Sequence, residues 1–313
     1  MEAKGSLITI NVDGKPLEKL IDVVSKGIGA IYRPRRIRNE ADAQAYAIKR
    51  IEGAKALALS DSRIVDAETS KRIQERIIAK EVRRQENIDS VVEKTASLLA
   101  GSDVSDKPVD EDWSIRFFDI VQDISREEMK TLWARILSKE IERPSTFSLR
   151  TLELLRNISY DEASLFMKIC DFVLGKGECF LFNEDGVLEK YGFRYLDIAR
   201  LTEIGLLQSG SFVIKSFESN PTEEARTAVI YGKNGFLLTI PAATKKIDVP
   251  IILLSQPGCE IFDLVEAKTN KEYIDDFASF IKNKNKNVKV QYGKLLEIKE
   301  NGQVWFDTQL VEL

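Results

Sequence analysis

Apolar side chains recur at helical spacing between Asp112 and Ser159, and this stretch predicts a compact unit of three short helices. The second helix is the most clearly marked, because Ser125 followed by Glu128 has the form of a capping box and Pro144 stops the helix. The pattern therefore predicts that this helix begins at Ser125. The apolar positions are Trp113, Phe117, Phe118, Ile120 and Val121 in the first helix, Met129, Leu132, Trp133, Ile136 and Leu137 in the second, and Leu149, Leu152, Leu154 and Leu155 in the third.

The chain before this unit has the pattern of long helices. Alternating apolar residues predict a short strand at 7–12, and a helix is predicted over 16–27. The alanine-rich stretch 40–59 and the apolar seam of 68–99 predict two long helices. The seam is not a strict heptad repeat, which favours an antiparallel hairpin over an extended coiled coil, with pairing between chains left open. Residues 100–108 read as a linker.

Beyond the central unit the pattern changes to mixed helices and strands. Ser159 with Glu162 forms another capping box, which predicts a helix after it. A later helix is predicted from the apolar spacing that starts at Tyr195 and runs to Leu207, and a strand at 212–214 follows it. A helix leading into a β-ribbon is the order of a winged helix.

Three apolar runs farther along the chain predict strands. They lie at 228–231, 236–240 and 250–254, and we expect them to build one small antiparallel sheet. Residues 255–258 are predicted to break that sheet before an amphipathic helix over 273–282.

Together these patterns predict an α+β fold. It has N-terminal long helices, a central helical unit and a C-terminal winged-helix-like domain with a small antiparallel sheet. The predicted domains are an N-terminal helical region with a basic segment at 1–100, the central helical unit at 109–174 and the winged-helix-like domain at 175–313.

Composition restricts the chemistry that this chain can perform. The 313 residues are 43% hydrophobic, which supplies a core without metal or disulfide support. The sequence has no histidine, so Ser-His-Asp and Cys-His nucleophilic pairs and imidazole-ligated zinc are excluded. We predict no cofactor and no metal site, name no catalytic residues and lean towards a protein that is not an enzyme.

The cysteines and the charge balance indicate the environment. Cys170, Cys179 and Cys259 are odd in number and scattered, which favours reduced thiols and a cytoplasmic protein. We see no signal peptide and no apolar run long enough to span a bilayer. The formal net charge is −4, so any contact with nucleic acid must be local.

Two groups of arginines are the candidates for such a contact. The first is a basic segment that could hold phosphates or an anionic membrane surface, or could be a solvated turn paired with acidic residues elsewhere. The second lies around the helix predicted near Tyr195, where Asp197 and Glu203 would repel phosphates. The candidate residues are Arg33, Arg35, Arg36 and Arg38 in the segment, and Arg194 and Arg200 at the helix.

The central unit contains a distinctive set of residues, which are Phe117-Phe118, 125–129, 132–137, Glu140, Pro144 and 148–152. This set resembles the central signature of an uncharacterised bacterial domain-of-unknown-function family. The layout is also similar to that of the abortive-infection alpha proteins, which are associated with defence against bacteriophage. The resemblance implies a defence setting without implying an activity.

The leading functional hypothesis is a cytoplasmic, non-enzymatic interaction, scaffold or sensor protein in phage defence. We expect it to be a homo-oligomer joined through its N-terminal helices, with a protein partner whose identity is unknown. The alternatives are a nucleic-acid-binding module and an effector at an anionic membrane surface. Nucleic acid that stays bound at low salt and is lost steeply as the salt concentration rises would support the nucleic-acid-binding alternative.

Overall fold

The computed structural model describes residues 14–29, 67–210, 213–244, 246–299 and 303–313. The chain divides into two compact units, of which the first ends at Leu152 and the second begins at Glu153. In the described ranges, no helix has both the length and the apolar character needed to cross a membrane. The domain boundaries predicted from the sequence remain predictions.

The first unit is helical, and its helices form where the apolar spacing predicts them. Helix α1 packs along α3, and α2 packs along α4. The last helix, α5, carries the chain from the first unit into the second. The helices are α1 (Lys15–Ile28), α2 (Ala67–Leu99), α3 (Glu111–Val121), α4 (Glu127–Glu142) and α5 (Leu149–Asn157).

An aromatic cluster forms the centre of this unit. The Phe117 ring stacks on Trp113 with 5.0 Å between centroids and meets Trp133 edge-on at 5.4 Å. Trp133 is fully buried, and Phe118 packs against Phe117 from the next position along α3. These predicted apolar positions are therefore confirmed as core, whereas Leu149 of α5 is 41% exposed. Edge-on contacts of this kind add to the free energy gained from burial.

The predicted start of α4 at Ser125 is wrong by two residues. Helix α4 begins at Glu127, and its N-cap is Arg126 in an extended conformation with no side-chain capping bond. The Ile124 N–H donates to the Val121 carbonyl at 3.0 Å, so the chain is still turning away from α3 where the capping box was expected. A local motif does not override the turn that the preceding helix imposes.

A buried carboxylate fixes the turn between α4 and α5. Glu140 is 1% exposed, and its two oxygens accept the backbone N–H groups of Ser145, Thr146 and Phe147 at 2.6, 3.0 and 2.9 Å. Ser145 has a φ of 72°, a left-handed conformation that is uncommon for a residue other than glycine. The three hydrogen bonds hold the chain in this conformation.

Gly27 allows α1 to lie against α3, and this contact gives a first prediction. A Cβ at position 27 would be 2.2 Å from the Phe118 ring and 2.7 Å from the Ser114 carbonyl oxygen. We expect Gly27→Ala to lower the free energy of unfolding by about 1–2 kcal/mol, because overpacking outweighs the gain in helix propensity. Urea unfolding measures the change. A variant about 1 kcal/mol more stable than the wild type, as at an open helical position, would contradict the close approach.

The second unit combines helices with two antiparallel sheets, which confirms the predicted α+β class. The capping box of α6 is present as predicted, with the Ser159 N–H donating to Glu162 at 2.8 Å. The helices are α6 (Tyr160–Ile169), a 3-10 turn (Cys170–Phe172), α7 (Val187–Lys190), α8 (Tyr195–Glu203), α9 (Gln256–Phe262) and α10 (Lys271–Lys284). The strands are β1 (Val173–Leu174), β2 (Phe180–Phe182), β3 (Val213–Phe217), β4 (Ala225–Tyr231), β5 (Asn234–Ile240), β6 (Ile247–Leu253), β7 (Lys289–Ile298), β8 (Val304–Phe306) and β9 (Val311–Glu312).

The expectation of one sheet from the three apolar runs is wrong. Strands β4 and β5 form a hairpin in a sheet of order β4-β5-β7-β8, with β9 also pairing with β7. Strand β6 belongs to the other sheet, of order β1-β2-β6-β3, where Phe217 pairs with Ile247 and Phe180 with Leu253. The two runs of the hairpin are joined by a short turn, whereas β6 pairs with strands far away in the sequence.

Residues 255–258, which were expected to break the sheet, also begin a helix. Ser255 is the N-cap of α9, and its hydroxyl accepts the Gly258 N–H at 3.0 Å. Pro257 lies in the first turn, a position that suits proline because its missing N–H would have no helical partner. The serine and the proline together carry a helix-start signal.

Candidate functional site

Helix α8 carries two of the predicted site residues, and its first turn is held by one of them. Arg194 is the N-cap, and its N–H donates to the Asp197 carboxylate at 2.9 Å. The Arg194 Nε also approaches the same oxygen at 3.4 Å. The backbone N–H of Arg194, more than its guanidinium, keeps the pKa of Asp197 below its usual value. Asp197 is thus a fixed anion on this helix.

The second predicted arginine is also beside a carboxylate. Arg200 Nε lies 3.5 Å from Glu162 Oε1 on α6, which packs against α8. Glu162 is the capping-box residue of α6, and the Ser159 N–H is the main reason why the pKa of Glu162 is lowered. The structure therefore brings both arginines onto one helix but places each against an anion.

The charges around this helix do not favour phosphate. Helix α8 with its N-cap and helix α6 together present four carboxylates and three cations. Phosphate contacts are made by cations, and on these two helices the carboxylates outnumber the cations. The charged residues are Asp161, Glu162, Lys168, Arg194, Asp197, Arg200 and Glu203.

Large apolar and aromatic side chains on the same two helices face solvent. Tyr195 is 77% exposed and Leu196 is 69% exposed at the start of α8. On α6, Tyr160 is 75% exposed and Met167 is 51% exposed. We call these four residues the α6–α8 apolar surface. Two of them follow each other along α8, and the other two lie seven residues apart on α6, which packs against α8. Tyrosine and methionine are enriched in protein interfaces.

The helix predicted from the apolar spacing of Tyr195 to Leu207 ends at Glu203, and Tyr195, the first residue of that spacing, faces solvent. The buried side is formed by Leu201 and, after the helix ends at Glu203, by Leu206 and Leu207. Leu196 was not identified at all. The signal for it was present, because an apolar residue at position 196 falls between the positions that make the buried face.

The basic segment lies outside the described residues. The predicted contact of Arg33, Arg35, Arg36 and Arg38 with phosphates or an anionic membrane surface therefore concerns residues that the structure does not describe. The same holds for the predicted strand at 7–12 and the predicted helix at 40–59. Their functional interpretation rests on the sequence alone.

The remaining polar groups of the second unit include carboxylates and thiols, which can bind metals, and lysines that line a depression. Among the described residues, no set of three or more Cys, Asp or Glu side chains is arranged to hold a metal ion. An open depression of about 360 Å³ beside the end of α10 is lined by Lys282, Lys286 and Lys289, among others. The Lys282 ammonium donates to the Leu313 carbonyl, and Lys289 is 3.4 Å from Glu312. Two of its three ammonium groups thus already have anionic or carbonyl acceptors.

Comparison with known proteins finds a match to a family of unknown function over part of the chain. No curated protein and no solved structure matches the chain. Residues 71–180 match the model of a family described as a protein of unknown function (DUF2806). The match runs from α2 to β2 and ends before α8, so it covers the central unit in which the sequence resembles an uncharacterised domain family.

Proposed function

We propose that this chain is a non-enzymatic interaction protein that self-associates through the α6–α8 apolar surface and acts as a scaffold or sensor. The observation that carries the proposal is the exposure of Tyr195 and Leu196 side by side at the start of α8. Covering an exposed tyrosine or leucine side chain by a partner removes apolar area from water and so favours binding, and aromatic side chains are enriched in interfaces.

A second copy of the chain is the partner that the charges fit. Helices α6 and α8, with the N-cap Arg194, carry three cations and four carboxylates, including Arg200 and Glu203 in the same turn of α8. A two-fold axis places the same surface on both partners, so a surface with both signs can pair opposite charges across the axis. The apolar side chains would then meet in the dry centre of the interface.

We also propose that α6, β2, α7, α8, β3 and β6 form a winged-helix-like arrangement. Two observations support it: the helix and strand order along the chain, and the sheet order β2-β6-β3, in which the first strand pairs with the last. The hairpin of β4 and β5 would occupy the place of the first wing. Helix α8 has the place of the recognition helix.

The winged-helix-like order favours nucleic-acid binding as the second candidate function. Against it stand the carboxylates beside Arg194 and Arg200 and the net charge of −4. An effector at an anionic membrane surface would depend on the basic segment around Arg36, for which the sequence is the only support. Bacterial phage defence as the biological setting, and the cytoplasm as the location, rest on the sequence analysis.

Self-association is tested by replacing one exposed leucine. We expect the native protein to sediment as a dimer or a larger oligomer, and Leu196→Glu to weaken association by roughly 30-fold or more, because burying an unpaired carboxylate at an interface centre costs at least about 2 kcal/mol. Analytical ultracentrifugation over a concentration series measures this. Leu296→Glu is the matched control, since Leu296 on β7 is 63% exposed and should leave association unchanged.

Three results would count against the proposal. A monomeric native protein would contradict self-association itself. Dissociation by Val82→Glu on α2, where Val82 is 47% exposed, but not by Leu196→Glu would move the contact to the N-terminal helices. Nucleic acid that stays bound at low salt and leaves in a high-salt wash would favour the second candidate.

A further inference from the structure

Two cysteines that are far apart in the sequence meet at the junction of β2 and α9. Cys179 directly precedes β2, and its carbonyl oxygen accepts the Leu254 N–H at 2.9 Å. Ser255, which follows Leu254, is the N-cap of α9, and the Cys259 N–H donates to the Ser255 carbonyl at 2.9 Å. The first strand residues and the first helical turn are therefore fixed next to each other by backbone hydrogen bonds.

The pairing of Cys179 with Leu254 and the helical turn from Ser255 to Cys259 place the two cysteines next to each other, and each thiol shifts the pKa of the other. Cys179 is 1% exposed, whereas Cys259 is only partly buried, so a small oxidant can reach the second sulfur more easily. The hydrogen bond from the Cys179 thiol lowers the pKa of Cys259 to about 7, against the opposing effects of burial and of the Asp263 and Glu260 carboxylates. The same contact raises the pKa of Cys179. The pair therefore loses one proton readily, and the resulting thiolate is that of Cys259, the less buried of the two residues.

We propose that Cys179 and Cys259 are a peroxide-sensitive dithiol that closes to an intrachain disulfide. The Cys259 thiolate attacks one oxygen of hydrogen peroxide, the O–O bond breaks, and the products are a sulfenic acid on Cys259 and, after protonation, one water. The Cys179 sulfur then attacks the Cys259 sulfur, the S–O bond breaks, and the hydroxide takes the Cys179 proton as a second water. Peroxide is reduced by two electrons, and the two thiols are oxidised by two.

The disulfide would join the residue before β2 to the first turn of α9, next to the residues that follow α8. Ser255 already links these elements, since its N–H donates to the Leu206 carbonyl at 3.0 Å and its hydroxyl donates to the Gly205 carbonyl at 2.5 Å. Gly258 packs so closely that a Cβ there would be 2.1 Å from the same Leu206 oxygen. The proposed disulfide thus lies next to the segment that follows α8. Cys179 lies within residues 71–180, which match the family model, and Cys259 lies outside them.

Mass spectrometry of the full chain after peroxide treatment tests the proposal. We expect a small excess of hydrogen peroxide to lower the intact mass by about 2 Da, the two hydrogens lost on closing a disulfide. Thiols titrated after denaturation should fall from three to one. Trypsin separates the cysteines onto peptides 169–176, 177–190 and 247–268, so the non-reduced digest should link the second peptide to the third.

Variants make the assignment specific. Cys170→Ser is the matched control, because Cys170 is buried in the core with a raised pKa, and this variant should still lose two thiols. Cys259→Ser should keep both remaining thiols under the same treatment. Any of three results would overturn the proposal. The native protein could retain all three thiols, Cys259 could become a sulfinic acid while Cys179 stays reduced, or Cys259 could form disulfides only between two chains.

Discussion

Glu140→Ala is expected to lower the free energy of unfolding of the first unit by about 3–5 kcal/mol. The substitution removes the acceptor of three backbone N–H groups at 145–147, of which that of Phe147 is buried and the other two are partly buried, and each buried donor left without a partner costs about 1–3 kcal/mol. Loss of the carboxylate also releases the left-handed Ser145. Urea unfolding followed by tryptophan fluorescence measures the change, since Trp113 and Trp133 are buried in this unit.

Two further variants separate the hydrogen bonds from the loss of side-chain volume. Glu140→Gln keeps the shape but has one acceptor oxygen in place of two, and we expect it to cost about 2 kcal/mol. Arg135→Ala on the exposed side of the same helix should change the free energy of unfolding by less than about 0.5 kcal/mol. A Glu140→Ala variant within 1 kcal/mol of the wild type would show that solvent satisfies the three N–H groups.

The helices of the first unit were predictable because their information is local. The spacing of Leu132, Trp133 and Ile136 predicts a buried face, and all but Leu132 are fully buried. Helix ends depend on a few hydrogen bonds that compete with neighbouring turns, which is why the capping box at Ser125 is not used while that at Ser159 is. The role of Glu140 was not predictable, since its partners depend on how the chain turns after α4.

Features that depend on contacts between distant residues were not predictable. The strand at 250–254 carries no mark of the sheet that it joins, because β6 pairs with β2 and β3 and not with the neighbouring hairpin. In the same way, Cys179 and Cys259 looked like isolated thiols, and only the pairing of β2 with β6 brings them together. Composition and periodicity contain no information about such pairings.

The candidate site was predicted in part. The sequence identified the helix that carries Arg194 and Arg200, and the structure has a helix there, α8. It did not identify the side chains that face solvent, because exposure of Tyr195 and Leu196 depends on which side of α8 meets the rest of the unit. The arginines were noticed for their charge, yet their carboxylate neighbours make Tyr195 and Leu196 the stronger reason to expect a partner.

The hydroxyl of Tyr273 replaces a missing strand partner in the second unit. Strand β1 pairs only with Leu181 and Phe180 of β2, so the next residue, Phe182, has no partner in β1. The Tyr273 hydroxyl accepts the Phe182 N–H at 2.6 Å and donates to the Phe182 carbonyl at 3.0 Å. Tyr273 is fully buried, and burial raises its pKa well above the usual value, so the hydroxyl keeps the proton that it donates.

Tyr273→Phe is therefore expected to lower the free energy of unfolding of the second unit by about 2–4 kcal/mol, although the ring and its packing are retained. The cost comes from leaving one buried donor and one buried acceptor of Phe182 without partners. Urea unfolding followed by circular dichroism gives the free energy, and amide hydrogen exchange at Phe182 should become faster in the folded state. Tyr160→Phe, at a tyrosine that is 75% exposed, is the control and should stay within about 0.5 kcal/mol of the wild type. If Tyr273→Phe leaves both the stability and the exchange rate unchanged, the hydroxyl does not stand in for a strand, and the end of β2 must be held by the packing of the aromatic rings.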